Sequence, residues 1–282
     1  MSGVRLARHG STIAAPLARH AVLAVVTLAA IIPIYFMVTT AFKSQVQYAE
    51  SQLGLPLDPS LTNFATVLGN PMFVTWMLNS ILLTIVSVGL GIAVSSAAAY
   101  AFAWVEFRGR RLLFITFVAL LGAPAVAMVI PLFRMMVEVN LVNSRLGAVI
   151  IYTGLMIPYT TYFLTAFFRR LPDAVFEAGR VDGCGHFSLF LRIALPLSKP
   201  GLVTLALVNT LWVWNELLIA IIFLQETSKR TLMAGLTLFQ GEFSSDVPAI
   251  MAGLVVAMLP MLVLYVTGLR YFLSGFMMGS EK

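Results

Sequence analysis

The chain of 282 residues is 60% hydrophobic and 11% charged, with a net charge of +6 and a mean hydropathy of +0.93. That composition excludes an ordinary soluble globule and predicts an integral membrane protein. The basic excess does not point to nucleic acid, because the cations gather at the ends of apolar runs, and the single cysteine, Cys184, excludes an intrachain disulfide or a cysteine-based metal cluster.

A helix needs about 20 apolar residues to cross a hydrocarbon core of about 30 Å. Gaps between charges predict six such spans, at 21–42, 76–105, 112–133, 146–168, 202–224 and 247–269. They form one body, 21–273, between an N-terminal tail, 1–20, and a C-terminal tail, 274–282. Arg5, Arg8 and Arg19 precede the first run as they would in a signal peptide. Its apolar stretch outlasts the usual signal core, however, so the run is expected to stay as a span. Pro33, Pro124, Pro131, Pro158 and Pro260 fall within spans, and each removes a backbone donor. Kinks there would suit a protein that moves; equally, prolines are simply commoner in membrane helices than in soluble ones.

Basic residues set the orientation. With the N-terminus inside, only Lys43, Arg134, Arg145, Lys229 and Arg230 of the 18 lysines and arginines fall on the outer side. The positive-inside rule therefore puts both termini, and the loop 169–200 between spans four and five, in the cytoplasm.

That loop is the most polar stretch of the chain, holding Arg169, Arg170, Asp173, Glu177, Arg180, Asp182, His186, Arg192 and Lys199. Pro172 and Asp173 supply a helix start, with Asp173 as the expected N-cap and Glu177 near enough to favour the dipole. A helix over 174–182 is predicted, then Gly183 and Gly185 in left-handed conformations, then a second apolar helical pattern over 187–195 before Pro196 and Pro200. Val175, Ala178 and Gly179 crowd one side of the first helix, which would let its backbone lie deep in a groove on another protein.

Glu177-Ala178-Gly179, then Gly183, then nine residues, then Ile193-Ala194-Leu195-Pro196, resembles the coupling-loop motif of importer-type ABC transporter permeases. Gly179 departs from it, since alanine is usual there, at a cost in helix propensity of about 1 kcal/mol. Leu61-Thr62-Asn63-Phe64, Leu78-Asn79-Ser80, Phe107-Arg108-Gly109-Arg110-Arg111, Ile130-Pro131-Leu132, Trp214-Asn215-Glu216-Leu217 and the closing Gly275 to Gly279 are similar to the maltose-type sugar permeases. The resemblance implies an all-α membrane protein of six transmembrane helices, with a cytoplasmic coupling loop formed by Glu177, Ala178, Gly179, Asp182, Gly183, Ile193, Leu195 and Pro196. It also implies a bacterial inner-membrane location, two ATP-binding subunits, a second and different permease chain, and an extracytoplasmic solute-binding protein. The outer stretch 225–246, with Gln240-Gly241-Glu242, would meet that binding protein.

The chain has no Gly-x-x-x-x-Gly-Lys-Ser/Thr loop and so no recognisable phosphate cradle of its own. ATP and Mg are expected on the partner ATPase; no catalytic residue, cofactor or metal is expected here. Concentrating a solute 1,000-fold takes about 4 kcal/mol, which ATP hydrolysis exceeds.

Within the spans, Asn209, Trp212 and Glu216 recur at helical spacing with Asn215 beside them, and this predicts one wet face. A carboxylate in lipid costs at least a few kcal/mol, so Glu216 should face the bundle interior, a partner or water. Counted from Pro200, it lies roughly 24 Å toward the outer side. Indole rings beside amides suit a sugar, whose faces stack while its hydroxyls hydrogen-bond; the alternative is an interfacial tryptophan pair with an internal polar staple. Asn79, Tyr152, Tyr159 and Thr160 are further candidates, although single polar residues often only bond across helices. The resulting expectation is a permease subunit for a sugar or sugar-like solute. The alternatives are a permease for another solute such as glycerol phosphate, an ion-coupled carrier built around Glu216, and a membrane enzyme, which lacks an evident nucleophile, base or metal cluster.

Overall fold

A computed structural model describes residues 11–239 and 246–280, and all regular structure among them is helical. Gln240-Gly241-Glu242 lies outside the described residues. The chain divides into two compact units: one takes in residues up to Gly69 together with Phe239–Val256, the other Asn70–Leu238 and the residues from Ala257 onward.

The first unit opens with α1 (Ser11–Ala41), followed by α2 (Gln45–Glu50) and α3 (Thr62–Leu68). Helix α1 begins ten residues ahead of the expected span. Its C-terminal carbonyls are satisfied by Asn63, whose Nδ2 donates to Ala41 O at 2.9 Å and Lys43 O at 2.7 Å. Lys43 is buried and donates from Nζ to Ser51 O and Gln52 O, both at 2.9 Å, and burial lowers its ammonium pKa. The Leu-Thr-Asn-Phe motif is thus a clasp that closes the end of α1.

The second unit is built on α4 (Phe73–Trp104), which packs along α7 (Arg145–Phe168). Thr84, Ser87, Gly91 and Ser95 recur on the buried face of α4, and such small residues let two helices approach closely where no hydrophobic driving force separates helix from lipid. Thr153 Oγ1 donates to Ser87 O at 3.3 Å, and Ser95 Oγ to Ile157 O at 3.4 Å, across that seam.

The expected third span is not one helix. It is α5 (Arg110–Leu120) and α6 (Ala125–Glu138), bent by 106°. Pro124 explains the break: it stands as the extended N-cap of α6 and cannot continue α5. Pro131, Pro158 and Pro260 stay inside continuous helices. After α7 come α8 (Asp173–Val181), α9 (His186–Leu189), a π-helical turn (Phe190–Ala194), α10 (Leu195–Leu197), α11 (Lys199–Asn215), α12 (Leu218–Phe223) and α13 (Leu232–Leu236). The final helix, α14 (Val247–Ser280), runs through what was expected to be tail from 274.

Among the described residues, four helices are long and apolar enough to cross a membrane: Arg19–Ala41, Phe73–Trp104, Arg145–Phe168 and Val247–Gly268. Counting each of two bent pairs as one span gives six.

Candidate functional site

Helix α8 begins one residue earlier than expected. Pro172 is its N-cap and Asp173 its first residue, so Asp173 meets the dipole without capping it, and Glu177 lies beyond the first turn. Phe176 and Gly179 form the buried underside. The Phe176 ring stacks on Trp104 at 3.8 Å, and Trp104 Nε1 donates to Phe168 O at 3.0 Å, so α8 is seated on the ends of α4 and α7.

Gly179 corrects the sequence reading. A β-carbon there would lie 2.7 Å from Leu189 Cδ2 and 3.0 Å from Ile193 Cδ1. The small residue admits the chain's own second helical stretch and not a groove on another protein. Ile193 and Leu195 pack into the same core with Tyr100, Leu164 and Leu189. The spacing of the motif is therefore the spacing of an internal contact. Left facing outward are Val175, Glu177, Ala178, Arg180, Asp182 and Pro196.

Gly183 adopts φ +81°, as the turn requires, while Gly185 is extended at φ −73° and needs no glycine freedom. Cys184 N donates to Gly179 O at 2.9 Å and Gly183 N to Arg180 O at 3.0 Å, the paired bonds of a Schellman closure. Tyr100 anchors the next segment, its ring 5.3 Å from Phe190 and its hydroxyl 3.4 Å from His186 Nδ1. From there the stretch His186–Leu197 meets α11 at 76°.

At the far end of α11 the expected fifth span breaks. Glu216 is extended, at φ −70° and ψ 124°, and so does not continue the wet helical face of Asn209 and Trp212. Its carboxylate accepts from Ile219 N at 3.0 Å, Ala220 N at 3.3 Å and Tyr152 Oη at 3.1 Å. A buried helix start needs partners for its first amides, and this carboxylate supplies them for α12. The Tyr152 ring, edge-on to Trp212 at 6.0 Å, ties the joint to α7.

Beside the joint, residues of α5, α6, α7 and α11 line a half-open cavity of about 520 Å³. Asn209, Trp212 and Tyr159 are its polar or aromatic groups, and Met128, Met135, Met136 and Met156 line much of the rest. Asn209 is held by Thr160, Nδ2 to Oγ1 at 2.9 Å. Of the five residues expected along a solute path, Asn209 and Trp212 therefore meet at one cavity. Asn215 is exposed and bonds Leu211 O of its own helix at 2.8 Å. Asn79 spends its amide on Ser228 O at 3.0 Å and Arg230 O at 2.9 Å, stapling the segment before α13 to α4. The methionine wall escaped sequence reading, because methionines divided between α6 and α7 carry no motif.

A family model described as the inner membrane component of binding-protein-dependent transport systems matches residues 89–273. A protein named as an ABC transporter permease, ORF2, of Caldicellulosiruptor is 36% identical over 262 residues, 92% of this chain and 94% of that one. The melibiose/raffinose/stachyose import permease of Bacillus subtilis is 31% identical over 260 residues, again 92% and 94%. Among solved structures, a chain of a bacterial ABC transporter that imports the acidic polysaccharide alginate superposes with a TM-score of 0.82 at 22% identity, over 95% of this chain and 100% of that one.

Proposed function

The chain belongs to the inner membrane components of binding-protein-dependent transport systems, and from that premise we propose that it moves a sugar or oligosaccharide inward, coupled to ATP through the α8 loop. It is a non-catalytic, multi-pass permease subunit of an ABC importer. In the proposed arrangement both termini and α8 face the cytoplasm, two ATPase subunits carry ATP and Mg, a second permease chain completes the pathway, and a solute-binding protein delivers from outside.

One observation carries the coupling reading: α8 is bonded to the transmembrane helices on one side and bare on the other. A displacement of Glu177 and its exposed neighbours passes through the Phe176–Trp104 stack to α4 and through the π-helical turn and the 76° corner to α11. At the other end of α11 lie Glu216, Trp212 and the cavity. Packed interiors transmit such shifts because they repack between discrete arrangements and do not deform continuously.

The cavity supports a sugar. Its volume lies within the range of about 300–1,000 Å³ usual for small-molecule sites, and Trp212 and Tyr159 offer ring faces beside the Asn209 amide. Named relatives are permeases for melibiose, raffinose and stachyose, for diacetylchitobiose and for arabinooligosaccharides. An ion-coupled carrier is disfavoured because the Glu216 carboxylate is already held by three donors.

The test is uptake into liposomes holding this chain with its companion permease and ATPase, with binding protein and a panel of labelled oligosaccharides outside. Accumulation that needs enclosed ATP is expected. Accumulation driven by a proton gradient without ATP would overturn the mechanism.

A further inference from the structure

Between the start of α5 and the end of α7 lies an open pocket of about 990 Å³ that the transport reading does not use. Arg110, Arg111 and Arg169 line it together with Phe114, Leu112 and Ile115. Gly109, at φ +83°, turns the chain sharply enough to set Arg110 and Arg111 at the head of α5. The Arg169 guanidinium lies 5.2 Å from the centre of the Phe114 ring, which holds it in place.

Among the described residues these cations have no anion. None of the three arginines makes an ion pair among the described residues, and the carboxylate nearest in sequence, Glu106, bonds to none of them. Each guanidinium carries five N–H donors. Arg110 spends one on Val105 O at 3.4 Å and Arg169 one on Phe102 O at 3.5 Å, and both bonds are long. Three guanidinium groups side by side repel one another, and planar donor forks of this kind match phosphate oxygens.

The rest of the pocket says what carries the phosphate. Leu112 is 70% exposed and Ile115 52%, and no residue of α5 is buried. Along one helix the surface therefore passes from guanidinium groups to bare hydrocarbon-facing side chains, as a phospholipid passes from headgroup to acyl chain. A soluble phosphate would need only the first part. We propose that this pocket holds the phosphodiester headgroup of an anionic phospholipid, with the lipid's chains lying along Leu112 and Ile115. The proposal rests on α5 lying in the bilayer and is independent of the solute transported.

The experiment measures retention of phosphatidylglycerol by the purified transporter, taken from mixed phosphatidylglycerol and phosphatidylcholine bilayers and read by native mass spectrometry. Arg111→Gln is the primary variant, since Arg111 is exposed and its side chain bonds nothing among the described residues, so its loss should leave folding intact. At about 1 kcal/mol for each arginine near the surface, affinity should fall about fivefold in Arg111→Gln and again in the Arg111→Gln, Arg169→Gln double variant. Arg134→Gln, an equal charge change on an exposed residue outside the pocket, should retain lipid as the wild type does. Three results would each overturn the proposal: unchanged retention in the double variant, displacement of the lipid by inorganic phosphate at equal concentration, or loss of ATPase copurification with lipid retention unaltered, which would mark the arginines as a protein-docking patch.

Discussion

Two of the breaks in the second half of the chain, one at Gly183 and one at Glu216, are closed by opposite means. At Gly183 the backbone itself turns, with φ +81°, and the freed carbonyls of Gly179 and Arg180 find backbone amides five and three residues on. At Glu216 the backbone stays in an ordinary extended conformation and a side chain does the closing, by accepting from the amides of the next helix. The first solution suits water, where a loop can expose its remaining polar groups. The second suits hydrocarbon, where every freed amide needs a partner from within the protein.

That contrast is broken most severely at Glu216. Glu216→Leu leaves the Ile219 and Ala220 amides and the Tyr152 hydroxyl without their acceptor, at about 1–3 kcal/mol for each buried group left unpaired. The expected outcome is a loss of at least about 3 kcal/mol in the unfolding of the purified subunit and near-complete loss of uptake. Glu216→Gln keeps one carbonyl acceptor and should assemble while transporting more slowly. If the Leu variant melts with the wild type, α12 is held by something other than this carboxylate.

The two breaks also differ in how far the sequence disclosed them. Gly183 sits between polar residues, where a glycine announces a turn. Glu216 sits at the helical spacing of Asn209 and Trp212, so periodicity assigned it to a continuous face; only the ψ of 124° shows that the helix stops first. Helices α4 and α7 were legible almost to the residue because long apolar runs end at charges. The break between α5 and α6 was not, since proline at 124 breaks its helix while Pro131, Pro158 and Pro260 do not, and nothing local distinguishes them. The coupling motif was legible as a pattern, but its Gly179 was assigned to the outward side and instead faces Leu189 and Ile193 of the same chain.

An intermediate effect belongs to the α8 loop, where internal packing and outward contact can be separated. Gly179→Val forces methyl groups onto Leu189 and Ile193 and should cost about 1–3 kcal/mol of stability, as overpacking does. Gly183→Val meets no atom within 4 Å of the added β-carbon, so its cost is the left-handed backbone alone, about 1–2 kcal/mol. Glu177→Lys, on an exposed residue, should leave the melting temperature unchanged and still reduce transport per ATP. ATPase copurification and stoichiometry in reconstituted vesicles check the set. Normal coupling in both Glu177→Lys and Gly183→Val would remove α8 as the transmitting element.

The smallest effect concerns a carboxylate that works in water as Glu216 works in the membrane. Glu226, beyond the end of α12, pairs with Lys229 Nζ at 2.7 Å, accepts from the Ser228 hydroxyl and receives the Asn143 amide at 3.4 Å. The hydrogen bond from Lys229, followed by that from Ser228, lowers its pKa from the usual 4.5 to about 2. A carboxylate whose folded pKa is depressed stabilises the fold above its unfolded value, and that contribution is lost as pH falls from 4.5 toward 2. Carbon-13 NMR of the labelled side chain should give a midpoint near 2, and Lys229→Met should raise it toward 4.5 with little change in uptake. Exposure explains the small functional cost: water replaces the lost partner at once, as it cannot around Glu216. A wild-type midpoint at 4.5 would mean that the cluster is not held together in solution, and that the chain beyond α12 is fixed by its other bonds, among them the Asn143 backbone amide donating to Phe223 O at 2.9 Å and Asn79 Nδ2 donating to Ser228 O and Arg230 O.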